Sequence, residues 1–529
     1  MGVKVLVSDA IAPEGMERLR AHPGIEVVDG SSWSRAELLE RIGEFEGLIV
    51  RSATQVDREL IERAPRLKVV ARAGVGVDNI DLQAATKRGV LVINSPEGNT
   101  ISTAEHTIAM MAALARSIPQ AYVSLVREKK WTRGKFLGVQ LAGKTLGVLG
   151  LGRIGSEVVR RAQALGMEVL AYDPYVNEER ARRLGVPLVS VEEICRKADF
   201  ITVHTPLTKE SEGLISAREF ELMKPGVRII NCARGGIIDE KALYDAIVSG
   251  KVAGAALDVF VEEPPVDNPL LTLEQVIATP HLGASTVEAQ VSVAIDAVES
   301  LIRAFEGKPV KNAVNAPAMR AEGVDGLVAY LELAERLGHF FTSVFGGNFE
   351  RIEVVYRGEA ARFDEEALTS ALLKGMLAPV LHEAVNYINA PALAEERQVR
   401  IAVTKEAAAE GRSSAVALRA TSGERVRSVG GVIDTDGKPV IVEIDGYPVH
   451  VATEGRLLLA YNLDRPGIIG RVGTLLGEHG INIAFMQVGR KQVGSYAVMV
   501  LGIDDPLTDA VMERLGRLEE LRAIRLVEW

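Results

Sequence analysis

Residues 145–155 read Thr-Leu-Gly-Val-Leu-Gly-Leu-Gly-Arg-Ile-Gly, and this stretch decides the fold. The apolar residues Leu146 to Leu149 are typical of a buried parallel strand. Three glycines follow at the spacing G-x-G-x-x-G. Gly150 permits a tight turn, Gly152 lets a pyrophosphate approach the backbone, and Gly155 lets the next helix pack on the strand. The stretch therefore predicts the turn of a dinucleotide-binding unit, with the phosphates at a helix N-terminus.

The residues after the glycines complete this unit. Apolar side chains recur at helical spacing from Val158 to Leu165, and a second strand, Glu168 to Tyr172, ends at Asp173. Asp173 stands 21 residues after Gly152, the distance at which an acidic residue binds the two ribose hydroxyls of adenosine. A carboxylate there would repel a 2′-phosphate, so the sequence favours NAD over NADP.

Bulk composition describes an ordinary globular protein. The 529 residues suffice for three or four domains, and 47% are hydrophobic and 25% charged. A net charge of −10 argues against a general nucleic-acid-binding surface. The two cysteines have no metal-ligand spacing, so no metal is expected, and they suggest a reducing compartment. With no signal-peptide pattern and no uncharged apolar run of membrane-spanning length, we expect a cytoplasmic protein.

Apolar runs alternate with helical segments over two long regions, which predicts two parallel sheets covered by helices. Residues 1–98 and 287–316 are expected to form one such domain, with residues 308–315 returning to it from the second. Residues 99–286 are expected to form the nucleotide domain. A chain that leaves one domain, builds another and returns places a cleft and a hinge between the two.

The remainder of the chain has a different character. Residues 317–454 are expected to form a separate α+β domain, with helices at Asp325 to Phe345 and Glu365 to Ile388. Asp436-Gly437 and Asp445-Gly446 are hairpin turn signals. Residues 455–529 follow a ferredoxin-like β-α-β-β-α-β pattern, in which Pro466 suits the first turn of a helix.

Three chemically active residues follow strands of the nucleotide domain: Arg234, Glu263 and His281. Arg234 can fork onto a substrate carboxylate. His281 can accept a hydroxyl proton while hydride leaves the same carbon, and Glu263 can orient its ring. Together these roles suit the oxidation of a hydroxy acid. His204 is a rival base with at most a positioning role, and His106 is read as a packing residue.

Cations are available for an anionic substrate. Arg51, Ser52 and Arg72 follow strands of the first domain, where open α/β sheets bind ligands. Arg133 and Lys135 belong to a short basic segment that either reaches the substrate or stays in solvent. For each arginine taken alone, a surface ion pair is the alternative interpretation.

Four motifs resemble the NAD-dependent D-2-hydroxyacid dehydrogenases over residues 1 to about 316. They are Gly150-Leu-Gly-Arg-Ile-Gly155, Asn231-Cys-Ala-Arg-Gly-Gly236, Asp258-Val-Phe with Glu263-Pro264, and Thr279-Pro-His-Leu-Gly-Ala-Ser285. The resemblance implies a catalytic set of Arg234, Glu263 and His281, with His281 as acid/base. It also implies NAD contacts from Arg153, Ile154, Asp173, Thr205, Cys232, Ala233, Arg234, Asp258, His281, Leu282, Gly283 and Ala284.

The last 75 residues resemble an ACT domain, a module that commonly binds amino acids. A catalytic core, an intervening domain and an ACT domain in this order are similar to the long members of the family that act on 3-phospho-D-glycerate. The implied fold is α/β: two flavodoxin/Rossmann-like parallel-sheet domains, an α+β intervening domain and a ferredoxin-like ACT domain. The implied reaction yields 3-phosphohydroxypyruvate in L-serine biosynthesis.

The same resemblance implies a homotetramer inhibited by L-serine at paired ACT domains, through Asn462, Asp464 and Asn482. Two alternatives stay open from sequence. One is a dehydrogenase of the same family that acts on glyoxylate, hydroxypyruvate or D-lactate. The other is a non-catalytic protein that senses NAD. The basic side chains and the ACT domain argue against the first, and the intact catalytic set argues against the second.

Overall fold

A computed structural model describes residues 2–316, 326–381, 384–407, 415–423 and 425–529. It contains two parallel sheets, one mixed sheet and one antiparallel sheet, which confirms the predicted fold class. Within these residues, no helix has both the length and the apolar character that a membrane span requires.

The first parallel sheet has the strand order β2-β1-β3-β4-β5. Its strands are β1 Val3–Val7, β2 Ile25–Asp29, β3 Gly47–Val50, β4 Val69–Arg72 and β5 Leu91–Ile93. Its helices are α1 Pro13–Ala21, α2 Arg35–Arg41, α3 Arg58–Glu62 and α4 Leu82–Arg88. Apolar side chains on both sheet faces are fully buried, as parallel strands covered by helices require. The carboxyl ends of β3 and β4 therefore present Arg51 and Arg72 at one edge.

The second parallel sheet has the order β11-β10-β9-β8-β6-β7. Its strands are β6 Thr145–Leu149, β7 Glu168–Tyr172, β8 Phe200–Val203, β9 Val227–Asn231, β10 Val252–Leu257 and β11 Val276–Ala278. Its helices are α5 Thr100–Arg116, α6 Ile118–Tyr122, α7 Arg153–Ala164, α8 Glu178–Arg183, α9 Val191–Lys197, α10 Ala217–Leu222 and α11 Glu240–Val248. The strand order reverses direction from β6, where α/β sheets bind nucleotides.

The long helix α12, Val287–Phe305, leads from the second sheet back to the first. It packs against α1, where Gly15 lies against Ala294 and Arg18 pairs with Glu299 at 2.6 Å. After it, the backbone N–H of Val92 donates to Asn315 (2.9 Å), and Val314 N–H donates to Val92 (2.8 Å). After α12 the chain thus runs back to β5 of the first sheet.

The mixed sheet follows in the order β13-β12-β14-β15-β16-β17. Among its described residues, β12 and β13 pair in parallel and the other four strand pairs are antiparallel. Its strands are β12 Arg351–Arg357, β13 Arg400–Glu406, β14 Ala415–Ser422, β15 Arg425–Ile433, β16 Pro439–Ile444 and β17 Tyr447–Ala452. The helices α13 Leu327–Phe345, α14 Glu365–Leu377 and α15 Ala390–Glu396 accompany it. Asp445 and Gly446 both have positive φ, 50° and 74°, as the predicted two-residue hairpin turn requires.

The C-terminal sheet has the order β19-β20-β18-β21. Its elements are β18 Arg456–Leu463, α16 Ile468–Glu478, β19 Ile483–Arg490, β20 Tyr496–Ile503, α17 Asp509–Gly516 and β21 Leu521–Glu528. One sheet face packs under α16 and α17. The other face contributes Leu457, Val500 and Val527 to the core that α13 and the mixed sheet also build. The third and fourth domains therefore share a single continuous core.

Two helix predictions in this half are wrong. The helix predicted to run from Glu365 to Ile388 ends at Leu377, because Pro379 cannot donate a helical hydrogen bond and its ring blocks the preceding turn. Pro466 lies outside α16, because the left-handed backbone of Gly467 (φ 91°) separates it from the helix that begins at Ile468.

Candidate active site

The glycine loop between β6 and α7 has the geometry of a dinucleotide turn. Gly150 adopts φ 102°, and its N–H donates to Tyr172 at 2.8 Å. A Cβ at Gly155 would overlap the carbonyl of Gly150, whereas a Cβ at Gly152 would meet no described atom within 4 Å. Gly150 and Gly152 shape the turn, and the missing side chain at Gly155 allows the helix to pack closely on the strand. Open space above Gly152 is where a pyrophosphate fits.

Asp173 ties the end of β7 to the same loop. Its Oδ2 accepts the N–H of Leu151 at 2.8 Å, and its Oδ1 accepts those of Tyr175 (2.9 Å) and Val176 (3.2 Å). These bonds fix the carboxylate beside the glycine turn. Each oxygen keeps further acceptor capacity for a ribose hydroxyl.

A cleft of about 440 Å³ lies between the first and second sheets. Nine of the residues predicted to touch the cofactor line it, namely Ile154, Thr205, Cys232, Ala233, Arg234, Asp258, His281, Gly283 and Ala284. Gly150, Gly152, Arg153, Gly155 and Asp173 form the glycine turn and its edge, outside that cleft. Leu282 is fixed through its backbone, because its N–H donates to Asp258 at 2.7 Å. Arg153 reaches Glu97 of the opposite domain at 3.5 Å.

His281 and Glu263 form a hydrogen-bonded pair at the cleft. His281 Nδ1 lies 2.8 Å from Glu263 Oε2, and Phe260 N–H donates to Glu263 Oε1 at 3.1 Å. Burial alone raises the pKa of Glu263, but the hydrogen bond and charge of His281 outweigh it and hold that pKa below its usual value. Glu263 is therefore an ionised carboxylate that fixes the imidazole with Nε2 directed away from it.

Asp258 supports the His281 loop from behind. It is almost completely buried, and its carboxylate accepts the backbone N–H groups of Leu282 (2.7 Å) and Gly283 (2.8 Å). Its own carbonyl accepts the N–H of His281 at 3.0 Å, where the backbone is left-handed (φ 53°). Burial raises the pKa of Asp258, yet hydrogen bonds from His106 and Thr279 bring it below the usual value.

His106 is a member of this network that the sequence did not reveal. From α5 its Nε2 lies 3.3 Å from Asp258 Oδ1 and 3.1 Å from Thr279 Oγ1. The sequence identified it only as a packing histidine, because nothing in the α5 pattern marks the carboxylate that it faces.

His204 lines the cleft with a different electrostatic environment. Its Nε2 lies 3.0 Å from Thr202 Oγ1, and its buried Nδ1 has no partner among the described residues. Burial lowers the pKa of His204 to about 4. It is therefore neutral near pH 7 and poorly suited to accept a proton.

Three guanidinium groups lie near one another where the two domains face each other, Arg234 from the second domain and Arg51 and Arg72 from the first. Arg234 Nε donates to Asp78 at 3.0 Å, and Arg72 Nε donates to Asn79 at 2.9 Å. Asn79 in turn donates to the carbonyl of Arg51 at 2.8 Å. Burial, together with repulsion from Arg234 and Arg51, lowers the pKa of Arg72 to about 10. Three guanidinium groups at this position, with Asp78 and Asp9 beside them, could bind an anion.

The other predicted substrate contacts fall in different places. Ser52 is exposed beside Arg51 at the end of β3. Arg133 and Lys135 lie in a 3₁₀ turn, and Lys135 pairs with Glu274 at 2.9 Å. Glu274 precedes β11 whereas His281 follows it, so the structure does not bring this basic segment to the cleft of its own chain.

The predicted effector residues are divided between the two ends of the C-terminal sheet. Asn462 is 3% exposed, and its Oδ1 has no partner among the described residues. Asp464 follows β18 nearby and accepts the N–H of Gly494 at 3.3 Å. Asn482 precedes β19 and donates to Asp504 at 2.6 Å. The pairing of Leu463 with Tyr496, and of Ile483 with Ile503, puts Asn482 at the opposite end.

Comparison with known proteins agrees with this architecture. Residues 108–283 match the NAD-binding domain of the D-isomer specific 2-hydroxyacid dehydrogenases. Residues 326–445 match the D-3-phosphoglycerate dehydrogenase intervening domain, and residues 456–520 match the ACT domain. The fold and the cleft thus define an NAD-dependent 2-hydroxyacid dehydrogenase, and the predicted cofactor is confirmed.

Full-length relatives narrow the assignment. The chain is 45% identical over 526 residues to D-3-phosphoglycerate dehydrogenase of Methanocaldococcus jannaschii, covering 99% of both chains. It is 43% identical over 525 residues to the Bacillus subtilis enzyme of that name, again covering 99% of each. The chain belongs to the D-3-phosphoglycerate dehydrogenase family.

Solved structures match somewhat more than half of the chain. Aquifex aeolicus D-lactate dehydrogenase, complexed with NAD and lactic acid, is 31% identical with a TM-score of 0.51. That match covers 57% of this chain and 96% of the other. A glyoxylate reductase from Paecilomyes thermophila is 32% identical with a TM-score of 0.52, over 58% of this chain and 96% of the other.

Proposed function

We propose that this protein oxidises 3-phospho-D-glycerate to 3-phosphohydroxypyruvate with NAD, which opens L-serine biosynthesis from 3-phosphoglycerate. The observation that carries the proposal is an interdomain cleft lined by Arg234 and by His281, whose ring is held by Glu263. Arg72 lies within electrostatic range of both Arg234 and Arg51. An imidazole held by a carboxylate supplies a base, and the guanidinium groups supply a site for a multiply charged anion.

The protein's own residues accept the proton and bind the negative charges of the substrate. When bound, NAD would supply the acceptor for the hydride that leaves C2 of the substrate. His281 takes the hydroxyl proton at Nε2, because Nδ1 is occupied by Glu263. Glu263 stabilises the imidazolium that forms. Arg234 binds the carboxylate, so that the carbon to be oxidised lies beside the imidazole.

The phosphate of the substrate is assigned to Arg51 and Arg72. Arg51 follows β3, Arg72 is the last residue of β4, and Asn79 connects them. Arg72 keeps its charge at neutral pH even though burial lowers its pKa to about 10. The pair therefore offers two fixed positive groups in the first domain.

A substrate panel tests this function. Absorbance at 340 nm would be followed with NAD and 3-phospho-D-glycerate, D-glycerate or D-lactate, and with NADH and glyoxylate or hydroxypyruvate. We expect the highest kcat/KM for the phosphorylated acid, and a loss of roughly 10²-fold or more in kcat for His281→Ala. Higher kcat/KM for an unphosphorylated acid, or a His281→Ala variant with the wild-type rate, would contradict the proposal.

The proposal extends to a cytoplasmic homotetramer that L-serine inhibits. Residues 118–137 form an arm with exposed large apolar side chains, which suits contact with a second copy. These side chains are Ile118, Tyr122, Val123, Leu125, Val126, Trp131 and Leu137. A serine site that combines Asn462 and Asp464 with Asn482 requires a second sheet, because a single sheet holds them at opposite ends.

Oligomer size and inhibition test this extension. We expect a tetrameric mass by light scattering, and a higher serine concentration for half inhibition in Asp464→Ala with unchanged basal kcat. A Glu478→Ala variant, also in the C-terminal domain, serves as the control. A monomeric wild-type protein, or serine inhibition that survives Asp464→Ala unchanged, would contradict this part.

A further inference from the structure

Arg234, the group assigned to the substrate carboxylate, already binds a carboxylate of the protein. Its Nε donates to Asp78 Oδ2 at 3.0 Å, and Nη1 donates to the carbonyl of Ala233 at 2.7 Å. Asp78 follows β4 in the first domain, whereas Arg234 follows β9 in the second. The ion pair therefore spans the cleft in which the substrate must bind.

The surroundings of Asp78 resemble an anion site more than an ordinary surface ion pair. Arg234 and Arg72 both lie within electrostatic range of its carboxylate. The guanidinium of Arg234 packs against the backbone at Gly76, where an added Cβ would overlap it. The Asp78 side chain itself is 65% exposed. An exposed carboxylate can move into solvent at small cost, unlike a buried one.

We propose that Asp78 is an internal substitute for the substrate carboxylate: it holds Arg234 across the cleft and is displaced when substrate binds. This inference rests on the proposed function, since it takes Arg234 as the carboxylate-binding group. Displacement replaces one carboxylate on the Arg234 guanidinium with another, so Asp78 acts on binding and leaves the proton and hydride steps unchanged. Asp78 is thus a positioning residue that competes with substrate.

The test is Asp78→Asn, which keeps the size of the side chain and removes its charge. At saturating NAD we expect KM for 3-phospho-D-glycerate to fall roughly three- to tenfold with kcat unchanged, because a competing carboxylate is lost. KM for D-glycerate should fall by a similar factor, because both acids place a carboxylate on Arg234. Oxalate, a small dicarboxylate, should inhibit the variant at lower concentration.

Asp81→Asn is the matched control, with the same change of charge three residues away. Asp81 caps α4 by accepting the N–H of Ala84 at 2.9 Å, and asparagine caps helices equally well. Its KM should stay at the wild-type value. A purely structural role for Asp78 would instead raise KM or lower kcat in Asp78→Asn, and that result would overturn the inference.

The outcomes separate this inference from the proposed function. Wild-type protein that fails to turn over 3-phospho-D-glycerate would contradict the function itself. Wild-type turnover with an unchanged or raised KM in Asp78→Asn would contradict only the role of Asp78. A KM decrease of equal size in Asp81→Asn would also overturn it, because net charge would then explain the effect.

Discussion

The loop after β6 and the loop after β4 both place glycines at the carboxyl end of a parallel strand, one in each of the two domains that face each other across the cleft. In the first loop, a Cβ at Gly152 would meet only open space. In the second, a Cβ at Gly76 would overlap the guanidinium of Arg234. One glycine leaves room for a ligand from solution, and the other leaves room for a side chain of the neighbouring domain. A glycine after a strand therefore shows that something approaches closely, and only its surroundings show what.

The largest effect is expected from Gly76→Ala. The added methyl group must displace Arg234, so kcat/KM for 3-phospho-D-glycerate should fall roughly 10²-fold, while NAD binding changes far less. Steady-state kinetics and NADH fluorescence titration measure the two quantities. Gly473→Ala, in open space on α16, is the control. If the Gly76→Ala enzyme had the wild-type kcat/KM, the claim that Gly76 leaves room for Arg234 would be contradicted.

Gly152→Ala should act only when the nucleotide is present. The backbone at Gly152 has φ −63°, which alanine accepts, so the free protein should unfold at the same urea concentration as the wild type. The methyl group would occupy the space for the pyrophosphate and raise the Kd for NAD roughly tenfold or more. Gly155→Ala should destabilise the free protein, because its Cβ meets the Gly150 carbonyl. Equal stability losses in Gly152→Ala and Gly155→Ala would contradict this difference between the two glycines.

Arg51→Ala tests the guanidinium groups without altering the glycines. We expect KM for 3-phospho-D-glycerate to rise roughly tenfold and the Kd for NAD to stay constant, because one phosphate contact is lost. Arg63→Ala, which removes an exposed arginine paired with Glu59, is the matched control. If KM were unchanged, Arg51 would not belong to the substrate site.

The smallest expected effect is on the pH dependence of stability, through His204 in the nucleotide domain. Burial lowers the pKa of His204 from 6.5 to about 4, so the unfolded chain binds a proton more readily than the folded one. The associated stability is fully present above pH 6.5 and is lost as the pH falls towards 4. Urea unfolding of His204→Asn should consequently depend less on pH between 7 and 5 than that of the wild type. Parallel wild-type and variant curves would show that His204 does not titrate in this way.

Sequence periodicity predicted most of the catalytic half, because parallel strands bring their carboxyl ends to one edge wherever they lie in the chain. Arg234, Glu263 and His281 could be grouped on that basis. Asp78 and His106 could not, since each acts on a residue of another loop or helix whose position depends on tertiary packing. The end of α14 was signalled by Pro379, which outweighs the apolar periodicity around it.

The joint core of the mixed sheet and the C-terminal sheet affects how regulation can be dissected. Leu457, Leu459 and Val500 are fully buried in that core, beside Leu333 and Leu337 of α13. Cutting the chain at residue 454 would expose the α13 surface to water and favour aggregation of the shortened protein. Point substitutions in the effector loops preserve that packing, so a loss of serine inhibition in such a variant cannot be due to a loss of folding. Truncation would produce both losses together. The mixed-sheet domain and the C-terminal domain are therefore best treated as one structural unit.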